Sequence, residues 1–206
     1  MKISKIIYFF TLALHLFILN NTSYSNSHNN DIKDVYEHLR NKKFSEAVNG
    51  LKILSEKNNP NAQLLYSKIL YSGEITTQDF EMSYFWANTS KLGGLKDSSN
   101  ILDKLNNIID DEYKSKINEN IKVFLEKLSL SGNKLAIVQI AKWNLEYSPE
   151  PNFENAYKWY NIAVALGIKS AKIKRDEMIE NIEKQRLFEI QKESIKIFNK
   201  INNLGG

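Results

Sequence analysis

Two stretches of this chain are written to one pattern. Asp79-Phe80-Glu81-Met82-Ser83-Tyr84-Phe85-Trp86 returns 73 positions later as Asn152-Phe153-Glu154-Asn155-Ala156-Tyr157-Lys158-Trp159. The same offset carries Leu92-Gly93-Gly94 onto Ala165-Leu166-Gly167, Asp103 onto Asp176 and Ile109 onto Ile182. One further residue of shift aligns Ile121-Lys122-Val123-Phe124 with Ile195-Lys196-Ile197-Phe198. Self-similarity at a fixed period means stacked copies of one unit, each burying its apolar face against the next. The expected layout is a first unit over 61–134 and a second over 135–206, preceded by a capping helix pair over 31–60 that covers an open end.

The period inside each unit is helical. Ile32, Val35, Tyr36 and Leu39 follow the i, i+3, i+4, i+7 spacing of a helix buried on one side, and so do Phe44, Ala47, Val48 and Leu51. Asn41–Lys43 is a connection short enough to make those two helices antiparallel neighbours. No strand-like alternation stands out, and the three prolines, Pro60, Pro149 and Pro151, fall at helix starts or turns. Ser131-Gly132-Asn133 and Pro149–Asn152 read as loops. The repeat is longer than one hairpin, so Ile101–Leu128 and Lys174–Ile201 are each expected to supply a further helix pair.

The start of the chain has a different character. Met1, Lys2 and Lys5 precede an apolar run from Ile6 to Leu19 and then a polar stretch, the layout of a secretory signal peptide over 1–25. Ser23 and Ser25 place the cut before Asn26, leaving 26–30 as a flexible mature N-terminus. The run is short of the roughly 20 residues of a membrane-spanning helix, so no stable membrane span is expected after cleavage, and the protein is expected in the periplasm or secreted. Without cysteine it has neither a lipid-bearing thiol nor a disulfide. Once Lys2 and Lys5 are removed, 26 basic residues face 24 acidic ones, a balance that gives no case for nucleic acid.

The two units resemble Sel-one-like repeats, a tetratricopeptide-like class of helical hairpins. In the first unit the resemblance rests on Ala62-Gln63, Gly73, Asp79-Phe80, Trp86 and Gly94. In the second it rests on Ala136, Ala141, Asn152–Tyr160, Ala163, Gly167 and Ala171. Ser67, Ser83 and Ser90 depart from the small glycine or alanine of the pattern, and Tyr147 stands where Gly73 stands in the first unit. The resemblance implies an all-α fold, an α-α superhelix formed as a short right-handed solenoid of antiparallel helical hairpins. Ser83 and Ser90, matched by Ala156 and Ala163, lie on one helix face where a neighbouring backbone can approach closely. Phe80, Trp86, Phe153, Trp159 and Tyr160 are expected to fill the space between hairpins. Gly94 and Gly167 are expected to close helices in the left-handed conformation.

Chemistry-bearing patterns are sparse. His28 and His38, the histidines beyond the leader, have no cysteine or serine partner in view, and a zinc site needs about four ligands. Ser131-Gly132-Asn133-Lys134 has the bare spacing of the penicillin-recognising motif without its companion elements, and a capped helix start explains it better. Asp110-Asp111-Glu112 likewise reads as a helix start, where acids favour the positive end of the dipole, and not as a glycosidase pair. Neither a catalytic residue, a metal nor a cofactor is assigned.

The leading expectation is an exported, non-enzymatic scaffold or adaptor that binds a protein or peptide through a helical-repeat groove. Two other classes stand beside it: a cell-envelope enzyme acting on peptidoglycan or a β-lactam, and a secreted protein that interacts with a host. The groove is expected to be lined by Asn61, Leu64, Lys68 and Tyr71 in the first unit and Leu135, Val138, Lys142 and Leu145 in the second. These two stripes are 74 positions apart, and lysine recurs at the same point of each. Such a face would suit a peptide with acidic and apolar side chains. Trp86, Gly94, Ala156, Trp159 and Gly167 are assigned structural roles.

Overall fold

The computed structural model describes residues 26–203, with side chains from Ile32 onward. The leader expected over 1–25 lies outside the described residues. Among the described residues the chain forms ten α-helices and one 3₁₀ turn, and no strand. A leading pair, α1 (Asn26–Arg40) and α2 (Phe44–Glu56), precedes α3 (Pro60–Ser72), α4 (Phe80–Leu92), α5 (Ser98–Asn106) and α6 (Asp111–Leu130). Then follow α7 (Lys134–Glu146), α8 (Phe153–Ala165), α9 (Ala171–Met178) and α10 (Lys184–Asn203).

The repetition is reproduced helix by helix. The first four lengths are 13, 13, 9 and 20 residues; the second four are 13, 13, 8 and 20. The shorter α9 is followed by the 3₁₀ turn Ile179–Asn181. Capping follows the same plan. Asn59 and Asn133 accept the backbone N–H groups of Ala62 and Ala136, while Asp79 and Asn152 accept those of Met82 and Asn155. Each such cap satisfies an N–H that the helix itself leaves without a partner. Gly94 and Gly167 take φ of +98° and +89° at the ends of α4 and α8, the left-handed closure expected of them.

Buried small residues explain how the helices come close. Ser67 Oγ donates to the Ser83 carbonyl and Ser83 Oγ donates back to the Ser67 carbonyl, each at 2.8 Å, where α3 crosses α4. The matching pair in the second unit is Ala141 and Ala156, both fully buried. Ser90 Oγ reaches the Pro60 carbonyl at 2.9 Å and accepts from Ser98 Oγ at 3.1 Å; Ala163 and Ala171 stand at those two places in the second unit. The serines therefore keep the close approach that alanine gives and satisfy their hydroxyls on neighbouring backbone.

Two apolar cores result. A small one is made by Ile32 and Val35 of α1, Ala47, Leu51 and Leu54 of α2, and Ala62 and Ile69 of α3. The large one takes Leu64 from α3 and runs through α4 to α10, so α3 is shared between the two. Trp86 and Trp159 sit at the seventh position of α4 and α8 and are 4% and 5% exposed. Trp86 meets Phe85 and Phe124 edge to face, with ring centroids 4.8 and 5.6 Å away. Arg186 fixes α10 to α8 through Glu154, and it also pairs with Glu189 and Glu193 on its own helix.

The described part of α1 includes residues 26–30 as helix. One expectation about the N-terminal pair is corrected. Phe44, counted in the buried stripe of α2, opens that helix and remains 39% exposed.

Candidate functional site

The eight residues expected to line a groove do not form one open face. Leu64 is 1% exposed and belongs to the large core, which corrects its assignment as a binding residue. Tyr71, Leu135, Val138 and Leu145 are half-buried, and Tyr71, Val138 and Leu145 pack against the same core. In the first unit α5 lies over this stripe. Lys104 holds its ammonium 5.6 Å from the Tyr71 ring centroid, and the Tyr71 ring is 5.6 Å from that of Phe80. Lys68 has its pKa lowered, by burial above all; Asp97 opposes the shift and Lys104 adds to it. Asn61 is half-buried, with its side-chain oxygen enclosed.

Lys142 does a definite structural job. Its Nζ donates to the Leu92 carbonyl at 3.1 Å, so a lysine of the second unit caps the C-terminal end of α4 in the first. A cation at that end also meets the negative pole of the helix dipole. Within the second unit, Lys134 makes a bond of the same kind to the Leu166 carbonyl just past α8, at 2.9 Å.

A polar cleft of about 290 Å³ opens where the two units meet. Tyr84, Asn88 and Lys91 project into it from α4, Leu102 and Asp103 from α5, and Glu146 and Tyr147 from the end of α7. Tyr84, Asn88 and Leu102 are buried and form its floor, while Lys91, Asp103 and Glu146 are exposed at its rim. Asn88 is locked at both ends: its Nδ2 donates to the Tyr84 carbonyl at 3.0 Å, and its Oδ1 accepts the Tyr147 hydroxyl at 2.9 Å. Burial pushes the Tyr147 hydroxyl well above the ordinary tyrosine range, with Glu146 and then Tyr84 adding to it, so this group stays protonated and donating. Burial likewise raises Tyr84. Among the described residues, the carboxylates of Asp103 and Glu146 make no hydrogen bond or ion pair, and neither does the Lys91 ammonium. The cleft can thus offer two uncommitted carboxylates and one ammonium around a fixed tyrosine–asparagine floor.

Sequence reading missed this cleft, although one signal for it was present. Tyr147 occupies the place of Gly73, which closes α3 at φ +66°. With φ of −121° and ψ of −15°, Tyr147 ends α7 without the left-handed turn of Gly73, and its hydroxyl reaches back to Asn88 of α4.

A second polar junction lies deeper. Gln63 Nε2 donates to Asn58 Oδ1 at 3.1 Å, Asn58 Nδ2 donates to Gln139 Oε1 at 2.7 Å, and Gln139 Nε2 donates to the Thr89 carbonyl at 2.9 Å. Asn58 can reach α7 because it turns the α2–α3 corner at φ +67°, a conformation asparagine tolerates better than most residues.

The motifs set aside on sequence grounds fall at helix starts. Asn133 of the Ser131–Lys134 run caps α7, and Asp110 caps α6 by accepting the Tyr113 N–H at 2.9 Å. His38 is half-buried on α1, and His28 lies on the same helix. Among the described residues no group of three or more histidine, aspartate or glutamate side chains is placed to hold a metal ion, and no helix is long and apolar enough to cross a membrane.

The described residues form an all-helical, repeat-like fold in which two runs of four helices match in length, with a polar cleft between them. No family model matches the chain, and no curated protein matches it.

Proposed function

We propose that the protein is an exported helical-repeat scaffold that holds a segment of a partner protein and performs no reaction itself. The observation that carries this reading is the cleft at the unit junction, built by both copies and presenting polar groups already fixed in place. Preorganised groups at a joint between repeats lower the ordering cost of binding an extended peptide. Helix order, with each hairpin packed chiefly on its neighbours in sequence, supports a right-handed superhelix of the Sel-one-like kind. The repeated residues around Trp86 and Trp159 support that family. Export rests on the leader pattern at 1–25, and a destination in the periplasm or outside the cell follows from it.

The test is affinity capture from the native cell envelope with the mature chain, comparing wild type with Tyr147→Ala after circular dichroism shows both equally helical. Specific capture that depends on Tyr147 supports the scaffold. Turnover of labelled cell wall or of a chromogenic β-lactam by the purified chain would overturn it in favour of an enzyme.

A further inference from the structure

The repeat allows the cleft to be compared with its own counterpart 73 residues later. Tyr84, Asn88 and Asp103 correspond to Tyr157, Asn161 and Asp176. One floor position differs: Leu102 in the first unit is Arg175 in the second. Arg175 places its guanidinium on Asp176, with Nε at 2.8 Å and Nη2 at 2.7 Å from the same carboxylate oxygen. In the second unit the chain therefore supplies an arginine for this aspartate. In the first unit leucine stands there instead, 4% exposed, and among the described residues the Asp103 carboxylate has no partner beside an open cleft.

The closing element adds to the same chemistry. Glu146, at the end of α7, is a second carboxylate without a partner among the described residues, so two anions and one cation, Lys91, line the cleft with two tyrosine side chains. A guanidinium is suited to such a place because its planar fork matches a carboxylate and its flat face packs on aromatic rings. The volume, about 290 Å³, admits one long side chain and excludes a folded element.

Resting on the scaffold reading above, we propose that this cleft is an arginine-binding pocket, receiving the side chain of an arginine in the partner's peptide segment with Asp103 and Glu146 as its anionic ligands. Lys91 sits at the rim, where it opposes the incoming cation and selects against segments with several adjacent basic residues.

The experiment uses the mature chain and N-acetyl-arginine amide as probe, with N-acetyl-citrulline amide as an uncharged analogue of similar shape, followed by amide chemical shifts and calorimetry. Arginine amide is expected to bind and to move the resonances of Tyr84, Asn88 and Tyr147, with citrulline amide weaker by about ten-fold, the scale of one charge-assisted hydrogen bond. Asp103→Asn and Glu146→Gln should each weaken binding by about ten-fold, and Lys91→Met should tighten it. Leu102→Arg, which copies the second unit, should fill the site and abolish binding; if that variant fails to fold, the two neutral substitutions at the exposed rim carry the test. Equal affinity for the two probes, or binding unchanged in both rim variants, overturns the assignment. Envelope capture that persists in Asp103→Asn/Glu146→Gln leaves the scaffold standing and refutes the arginine pocket alone.

Discussion

Replacing Trp86 by alanine removes one of the largest side chains of the core from a site that is 4% exposed. A buried aromatic covers roughly 150–250 Å², and at about 25 cal/mol per Å² its burial contributes about 4–6 kcal/mol. Partial collapse of the surroundings sets against this, and measured losses for such changes run at about 3–5 kcal/mol. Collapse is restricted here because Phe85 and Phe124 each meet the indole edge to face and would lose contacts worth about 0.5–1.5 kcal/mol per pair. The expected loss is therefore near the upper part of that range. Trp86→Phe should cost far less: it keeps a ring and discards an indole N–H that has no partner among the described residues. Urea unfolding followed by circular dichroism at helical wavelengths gives both numbers without relying on tryptophan emission. Trp159→Ala should lose a similar amount, since that ring is 5% exposed at the matching position. An alanine variant at either site within about 1 kcal/mol of wild type would contradict the burial reasoning, and a large loss at one site with none at the other would contradict their equivalence.

Lys142→Met should lower stability by about 1 kcal/mol through loss of the bond to the Leu92 carbonyl, while far-ultraviolet dichroism of the folded protein stays unchanged; an unchanged urea midpoint would remove the cap from the account. Gly93→Ala and Gly94→Ala should both destabilise, for different reasons: at Gly93 a Cβ would lie 2.7 Å from Pro60 Cγ, whereas at Gly94 there is open space and only the φ of +98° is costly. Pro60→Ala, which removes Cγ but leaves Cβ at 3.0 Å and the Ser90 carbonyl at 3.1 Å, should relieve part of the first loss and none of the second in thermal melts. Tyr160, pushed up to about 12 by burial first and then by Glu146 and Glu177, makes stability fall with alkaline pH. Between its unfolded value of about 10 and its folded value the unfolded chain binds fewer protons, so unfolding is increasingly favoured. Tyr160→Phe should flatten this limb of the stability–pH curve.

Much of the fold was legible because it is written twice. Asp79 and Asn152, Trp86 and Trp159, and Gly94 and Gly167 are local signals, each fixed by a helix start, a buried ring or a left-handed turn. Two copies of such signals constrain the pattern more than either alone. The four-helix content of each unit followed from period length and apolar spacing. How far the expected groove stripe is covered did not follow, for a physical reason. Spacing places Asn61, Leu64, Lys68 and Tyr71 on one side of α3, but only tertiary packing decides what covers that side, and α5 covers it here. The cleft was hidden for the converse reason: Tyr84, Asp103 and Tyr147 come from three helices and share no local pattern. Asn58 escaped notice too, since its partner Gln139 is 81 residues away.

The amide relay from Gln63 through Asn58 to Gln139 bears on how the molecule opens. Where the α2–α3 corner meets α7, side-chain amides make the contact, and these bonds have fixed direction and little apolar area. Fluctuations that part this corner from α7 break hydrogen bonds and wet polar groups. Such an opening would have a shallow denaturant dependence and a small heat-capacity change, because both scale with the surface exposed. Native-state hydrogen exchange would then sort the amides of this corner into a class insensitive to low urea, distinct from those around Trp86 and Trp159, whose exposure requires the large core to come apart.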